Sequence, residues 1–359
     1  MEPFKNKFNP ISIKELASSI NKSHKTFDIK KFTSLASVNL GDLEMKDRAI
    51  QISNALEHTM DGTNKRNAKN IKSFLKETSL SGFILWPISI YIESQFINDF
   101  EVGMDLLEVL TTKFTSEFGV RPYFEKYPEL TYSYFHSKLK NKDDNVRRWI
   151  SEGTRPNLPW GMNISHLNQN LDKNIKLIDN LKDDPSLYVR KSVANHMSDV
   201  TMLDSTLALK YLRVWNKSDS DYQKWIVKQA LRNLVKKGNK EALSILGYSQ
   251  TFKVEVQNLS IFPMKITDGD CTSLKLQILS LKKQNLMIDY IIGYPKKNGK
   301  ISKKVYKLKS VLSLKNEIIS IDKKISFKKV TTRVHYPGLH SCEVQINGNI
   351  ISKTSFTLI

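Results

Sequence analysis

Residues able to do chemistry are concentrated between Asp143 and Trp160. Glu152, three arginines (Arg147, Arg148, Arg155) and two tryptophans (Trp149, Trp160) fall there within 18 residues. A carboxylate and an aromatic face both favour a positively charged centre, while arginines suit an anionic partner. Val146 to Glu152 reads as the start of a helix, with Asp143 or Asp144 offering the N-cap. Arg148 and Glu152 are four residues apart and so share a face. Gly153 stops the helix, and Pro156 and Pro159 predict an extended, rigid segment that carries Arg155 and Trp160 past the carboxylate. Trp149, next to Arg148 on the helix, reads as core.

The chain is long enough for two domains, and its formal net charge of +20 exceeds what solubility needs. That excess points to a polyanionic partner, nucleic acid ahead of an anionic membrane; a generally lysine-rich composition is the plainer alternative. No apolar stretch follows a basic start and no run of 18 apolar residues occurs, so neither a membrane span nor secretion is expected. The two cysteines, Cys271 and Cys342, read as reduced thiols of a cytoplasmic protein, although a disulfide between them is conceivable. No Cys/His spacing suits zinc and no glycine-rich phosphate loop occurs, so neither metal nor cofactor is expected.

The elements that must position the site are helical. Residues 1 to about 30 are polar and read either as a short docked helix or as a loose segment. From Ile29 the apolar spacing is helical, with further helices over Ala68–Leu75 and Val102–Phe118. An internal repeat then emerges. Lys142-Asp143-Asp144…Val146-Arg147-Arg148 recurs 43 residues later as Lys182-Asp183-Asp184…Val189-Arg190-Lys191, and a fainter copy surrounds Asp219–Lys228. Each copy reads as an acidic cap opening a helix with basic first turns. This period suits HEAT-type helix pairs stacked into a solenoid, which would align the basic residues along one concave surface. Near Gly247 helical spacing gives way to short alternating runs. Cys342–Ile346, Asn347-Gly348 and Ile350-Ile351 read as a hairpin with a type I′ turn, and about seven strands suit an immunoglobulin-like sandwich. The expected organisation is a helical repeat domain over 1–247 and a β-sandwich over 248–359. From Gln250 onward there are 19 basic against 7 acidic residues, with Lys296, Lys297, Lys300, Lys303 and Lys304 clustered. These lysines read equally as a protected sheet edge or as a nucleic-acid contact.

Arg147 to Trp160, RRWISEGTRPNLPW, resembles the signature of the AlkC branch of the DNA alkylation-repair glycosylases, HEAT-like repeat proteins related to AlkD. The opening MEPFKNKF, LWPISIYI, SEFGVRPYF at 116–124 and YVRKSVANHMSD at 188–199 extend the resemblance over most of the first 240 residues. Part of that family carries an immunoglobulin-like domain after the repeats. The resemblance implies a monofunctional DNA glycosylase of base excision repair, a cytoplasmic monomer acting on double-stranded DNA. Its substrates would be cationic alkylated bases, chiefly 3-methyladenine, with 3-methylcytosine a further candidate. Such a base leaves without a general acid, so the site needs only to stabilise an oxocarbenium-like sugar and to position water. Neutral lesions such as uracil or hypoxanthine normally require a fitted pocket, and none is evident.

On the matching positions, Glu152 would lie nearest the sugar, with Trp160 facing base or sugar and Glu117 and Asp199 holding water and partner side chains. The expected DNA-facing set is Arg121, Arg147, Arg148, Arg155, Arg190, Lys191 and Asn195, with Lys228 and Arg232 substituting in the third repeat. Two departures weaken this register: Val227 stands where the repeat has arginine, and Asn157 where a basic residue is expected. The plainer readings are surface ion pairs for Glu117–Arg121 and Arg148–Glu152, a helix cap for Asp199, a core wedge for Trp160 and a structural His196. A non-catalytic HEAT scaffold binding nucleic acid or an acidic protein is the competing function.

Overall fold

The computed structural model describes residues 3–328 and 334–359, so Met1 and Glu2 of the opening motif lie outside the described residues. The chain is an N-terminal array of helices followed by an immunoglobulin-like β-sandwich. It falls into two compact units. The first runs to Leu207 and includes Ser220–Ile226; the second comprises Ala208–Asp219 and Val227–Ile359.

The first unit starts earlier than the polar composition of residues 1–30 suggests. Pro10–Ser23 is a helix because Asn9 and Ser12 form a capping box and Ile13, Leu16, Ala17 and Ile20 make a buried stripe. The helix expected over Val102–Phe118 is shorter, Phe100–Thr111. Ser116 turns back to donate its hydroxyl to the Leu107 carbonyl at 2.7 Å, so the chain reverses and Glu117 sits outside regular helix.

Two helices of the repeat hold the region of interest, Asp144–Gly153 and Leu187–Leu203. Asp143 caps the first, accepting the Asn145 amide at 2.8 Å. The second has Ser186 at its N-cap, with Asp184 accepting the Ser186 amide from just outside, so the acidic cap expected there is displaced by two residues. The repeated arginines have one shared task. Arg147 donates to the carbonyls of Asn141 and Lys142, and Arg190 donates to those of Asp184 and Pro185, the same five- and six-residue reach in both copies. Arg147 also grips Asp184 with two hydrogen bonds (2.6 and 3.0 Å), and Ser186 donates to Asp144 at 2.6 Å, which locks successive repeats in register.

Among the described residues the second unit contains eight strands: β1 (Val254–Phe262), β2 (Lys265–Ile266), β3 (Cys271–Ser280), β4 (Gln284–Pro295), β5 (Ile301–Ser313), β6 (Glu317–Ser326), β7 (Gly338–Ile346) and β8 (Asn349–Leu358). They form a β1-β3-β6 sheet and a β2-β8-β7-β4-β5 sheet. Inward residues such as Leu274, Ile278, Ile288, Ile292, Val344 and Phe356 fill the space between them. Cys271 and Cys342 are both free, and Cys342 lies in this core. The clustered lysines lie in the β4–β5 connection and on the edge strand β5, where Lys303 pairs with Glu343 at 2.9 Å.

The β7–β8 turn has positive φ at both Asn347 (48°) and Gly348 (82°), as a type I′ turn requires. It is also an anchor. Buried Asn347 receives the Met287 amide and donates to the carbonyls of Ser249 and Asn285. A Cβ on Gly348 would stand 2.8 Å from both Gly238 Cα and Leu243 Cδ1. Gly348→Ala therefore combines backbone strain with overpacking and should destabilise the protein by about 1–3 kcal/mol in urea unfolding; an unchanged midpoint would show that the turn does not bear on this packing.

Candidate active site

The Asp144–Gly153 helix buries Val146, Trp149, Ile150 and Gly153, an apolar stripe at helical spacing. The Trp149 indole donates to the Ser116 carbonyl at 2.9 Å, which fixes the turn carrying Thr115 and Glu117 against this helix. Gly153 ends the helix, but not through a left-handed cap: its Cβ would meet Val120 Cγ1 at 2.8 Å, so close packing requires the glycine. Thr154 closes the end by donating to the Ile150 carbonyl at 2.7 Å.

Five buried or nearly buried charges then form one alternating chain. Glu117 accepts from Thr115 and from Arg148. Arg148 lies 3.6 Å from Glu152 Oε1, and Arg155 donates to the same oxygen at 2.6 Å. Arg155 also holds Asp199 with two bonds, 2.8 and 3.2 Å. Glu152 Oε2 accepts the Ser192 hydroxyl at 2.6 Å. All three carboxylates are under 9 % exposed. Burial raises the proton affinity of Glu117 against the opposing pull of Arg148, and raises that of Asp199 against its bond to Arg155. The chain holds three carboxylates and two guanidiniums, and the buried Arg121 guanidinium acts electrostatically on its Arg155 and Asp199 members.

On the loop that follows Arg155, Trp160 is 71 % exposed and adopts φ of 65°, a left-handed conformation rare for a bulky residue. The segment from Pro156 to Trp160 is not extended as the prolines suggest; it makes two successive turns. Arg121 determines its course. This arginine is 1 % exposed, and its guanidinium donates to the carbonyls of Gly153, Arg155 and Met162, clasping both ends of the loop. Burial lowers its pKa to about 10.

The arginines expected to meet phosphate are engaged within the protein. Arg121 is spent on carbonyls, Arg155 on Glu152 and Asp199, Arg147 on Asp184 and two carbonyls, and Arg190 on two carbonyls beneath the Tyr222 ring. Arg121, Arg155 and Arg190 are buried and Arg147 is half-buried, because these carbonyls and carboxylates need donors. Arg148 is held by Glu117 and covered by Tyr188, whose ring centroid is 5.0 Å away. The Glu117–Arg121 pair expected from spacing is replaced by Glu117–Arg148. Lys191 is exposed and Asn195 partly buried. Lys228 and Arg232 belong to the second unit, where with Lys236, Met287, Asp289 and Lys307 they line a cavity of about 370 Å³. Sequence reasoning missed Ser192, Thr115 and Tyr188. Ser192, His196 and Asp199 share one helix face at i, i+4 and i+7, which was the available signal.

A family model described as "Uncharacterised protein YhaZ, C-terminal Ig-like domain" matches residues 255–359. The uncharacterized protein YhaZ of Bacillus subtilis (strain 168) is 32% identical over 364 residues, spanning 99% of each chain. Among solved structures, the chain is similar to Pseudomonas fluorescens alkylpurine DNA glycosylase AlkC bound to DNA containing an abasic site analog. That similarity covers 100% of both chains, with 30% identity and a TM-score of 0.94.

His196 packs beneath the charge chain, fully buried, with its Nδ1 3.0 Å from the Ser151 carbonyl; desolvation lowers its pKa to about 4. Between that value and the ordinary 6.5, the unfolded chain holds the proton that the folded chain refuses. Stability should therefore fall from pH 6.5 toward 4, by up to about 3 kcal/mol from this group. Glu117 and Asp199, whose proton affinities are raised, act in the opposite sense, so the measurement is a difference: urea midpoints of wild type and His196→Gln at pH 7 and 4.5. The pH-dependent loss should shrink in the variant, and equal losses would mean that His196 does not carry it.

Proposed function

The chain belongs to the AlkC family of DNA glycosylases, in the form that carries an immunoglobulin-like domain, and from this we propose that it hydrolyses the N-glycosidic bond of cationic alkylated bases in double-stranded DNA, chiefly 3-methyladenine. The observation that carries this reading is the buried chain of three carboxylates and two arginines, with the exposed Trp160 on the loop that follows Arg155. A helical repeat that only bound a polyanion would lose affinity by gathering carboxylates there.

A base methylated at a ring nitrogen already carries positive charge. When the C1′–N bond breaks, the bonding electrons pass to the base, which departs neutral, and the positive charge moves to the sugar. Glu152, held from two sides, is the carboxylate assigned nearest that developing cation, and the Trp160 face adds cation–π attraction. Water then attacks C1′ and passes a proton to one of the neighbouring carboxylates. Glu117 and Asp199, whose proton affinity burial raises, suit the holding of that water. Arg148 and Arg155 keep the three carboxylates apart and oriented. The exposed Lys191, with Lys228 and Arg232 of the second unit, are the proposed phosphate contacts, with the repeat region over 1–247 carrying the chemistry and the region over 248–359 adding basic surface.

The test is chromatography of free bases released from matched duplexes carrying 3-methyladenine, uracil or hypoxanthine, in the presence of chelator. Release of 3-methyladenine alone is expected, and efficient uracil release or no release at all would overturn the reading. Glu152→Gln keeps shape but loses charge, so single-turnover excision should fall by about 10²-fold or more with duplex affinity little changed.

A further inference from the structure

We propose that Ser192 is a positioning residue for Glu152, fixing which carboxylate oxygen faces the reacting sugar; the proposal rests on the glycosylase reading above. The cationic neighbours of Glu152 both address one oxygen. Arg155 donates to Oε1 at 2.6 Å and Arg148 stands 3.6 Å from it. The terminal torsion of a glutamate is broad, so cations on one oxygen leave the carboxylate free to rotate between them. Ser192 removes that freedom. Its hydroxyl donates to Oε2 at 2.6 Å, from the Leu187–Leu203 helix 40 residues away in sequence.

Two features of Ser192 have no other account. A serine within a helix commonly donates to the carbonyl four residues back, yet this hydroxyl donates outward across the helix pair. The position is also 2 % exposed, where alanine would be the better helix former. A buried hydroxyl here stabilises one orientation of a buried carboxylate. The same helix face supplies Asp199 to Arg155, so one rigid element holds both ends of the Glu152–Arg155–Asp199 segment. The register between the two helices, set by Arg147–Asp184 and Ser186–Asp144, is thereby transmitted to a single carboxylate oxygen.

The experiment is a double-mutant cycle read by single-turnover base release from a 3-methyladenine duplex. Affinity for a duplex with an abasic-site analogue and the thermal midpoint are measured alongside. Ser192→Ala and Ser192→Cys, which lack a good donor, should each slow release by about tenfold, the rate equivalent of one hydrogen bond to a charged group, while duplex affinity stays within about twofold. Ser192→Thr, which keeps the hydroxyl, should restore most of the rate. In a Glu152→Gln background, Ser192→Ala should cause no further loss. Wild-type rates for both Ser192→Ala and Ser192→Cys would overturn the proposal, and so would an equal slowing in the Glu152→Gln background, since the hydroxyl would then act through the fold. Wild-type release by Glu152→Gln itself would instead overturn the role given to Glu152. If one donor-free variant fails to fold, the other decides.

Discussion

The structure depends on the buried sequence of charges Glu117–Arg148–Glu152–Arg155–Asp199. Removing carboxylates and guanidiniums from water is costly, and only their alternation offsets the cost. Removing Arg148 would leave Glu117, and removing Arg155 would leave Asp199, without its ion-pair partner in low dielectric, a loss on the order of 3–5 kcal/mol. The members come from the turn after Thr111, the Asp144–Gly153 helix, the following loop and the Leu187–Leu203 helix. The chain of charges therefore ties three stretches that are remote in sequence, around Glu117, Arg148–Arg155 and Asp199, into one arrangement.

Around this chain the remaining polar groups act as clamps. Arg121 joins the carbonyls at both ends of the loop that presents Trp160. Trp149 joins the helix to the Ser116 carbonyl, and His196 joins Ser151 to the neighbouring helix. Such clamps are needed because Trp160 stands in a left-handed conformation that an unrestrained loop would relax. Exposure of a large aromatic ring and strain in its backbone are both unfavourable, and the proposed contact with DNA is the role that would offset them.

The basic register of the repeat has a different role from the one its pattern suggests. Arg147 and Arg190 neutralise the carbonyls that open each repeat, as capping groups rather than as a surface row. Lys191, at the equivalent point of the second copy, is by contrast exposed. An arginine fork suits a fixed internal geometry, whereas lysine keeps its ammonium in water on a flexible stem.

Much of this was legible in the sequence. The change from helix to strand near Gly247, the Asn347-Gly348 turn, the cap at Asp143, the core role of Trp149 and the exposure of Trp160 all follow from local rules. Period, turn chemistry and capping depend on backbone hydrogen bonds between near neighbours, so composition over a few residues decides them. Spacing also showed that Arg148 and Glu152 share a face. It did not show that Glu117 turns to Arg148, that Arg155 faces inward, that Arg121 clasps a loop, or that Ser192 completes the glutamate. Those contacts join residues 31 to 44 apart in sequence. A side chain's periodicity states which face it occupies. Only the packing of that face against another element decides whether it meets water, a carbonyl or an opposite charge, because desolvation and pairing belong to the assembled interior and not to the strand of residues that enters it.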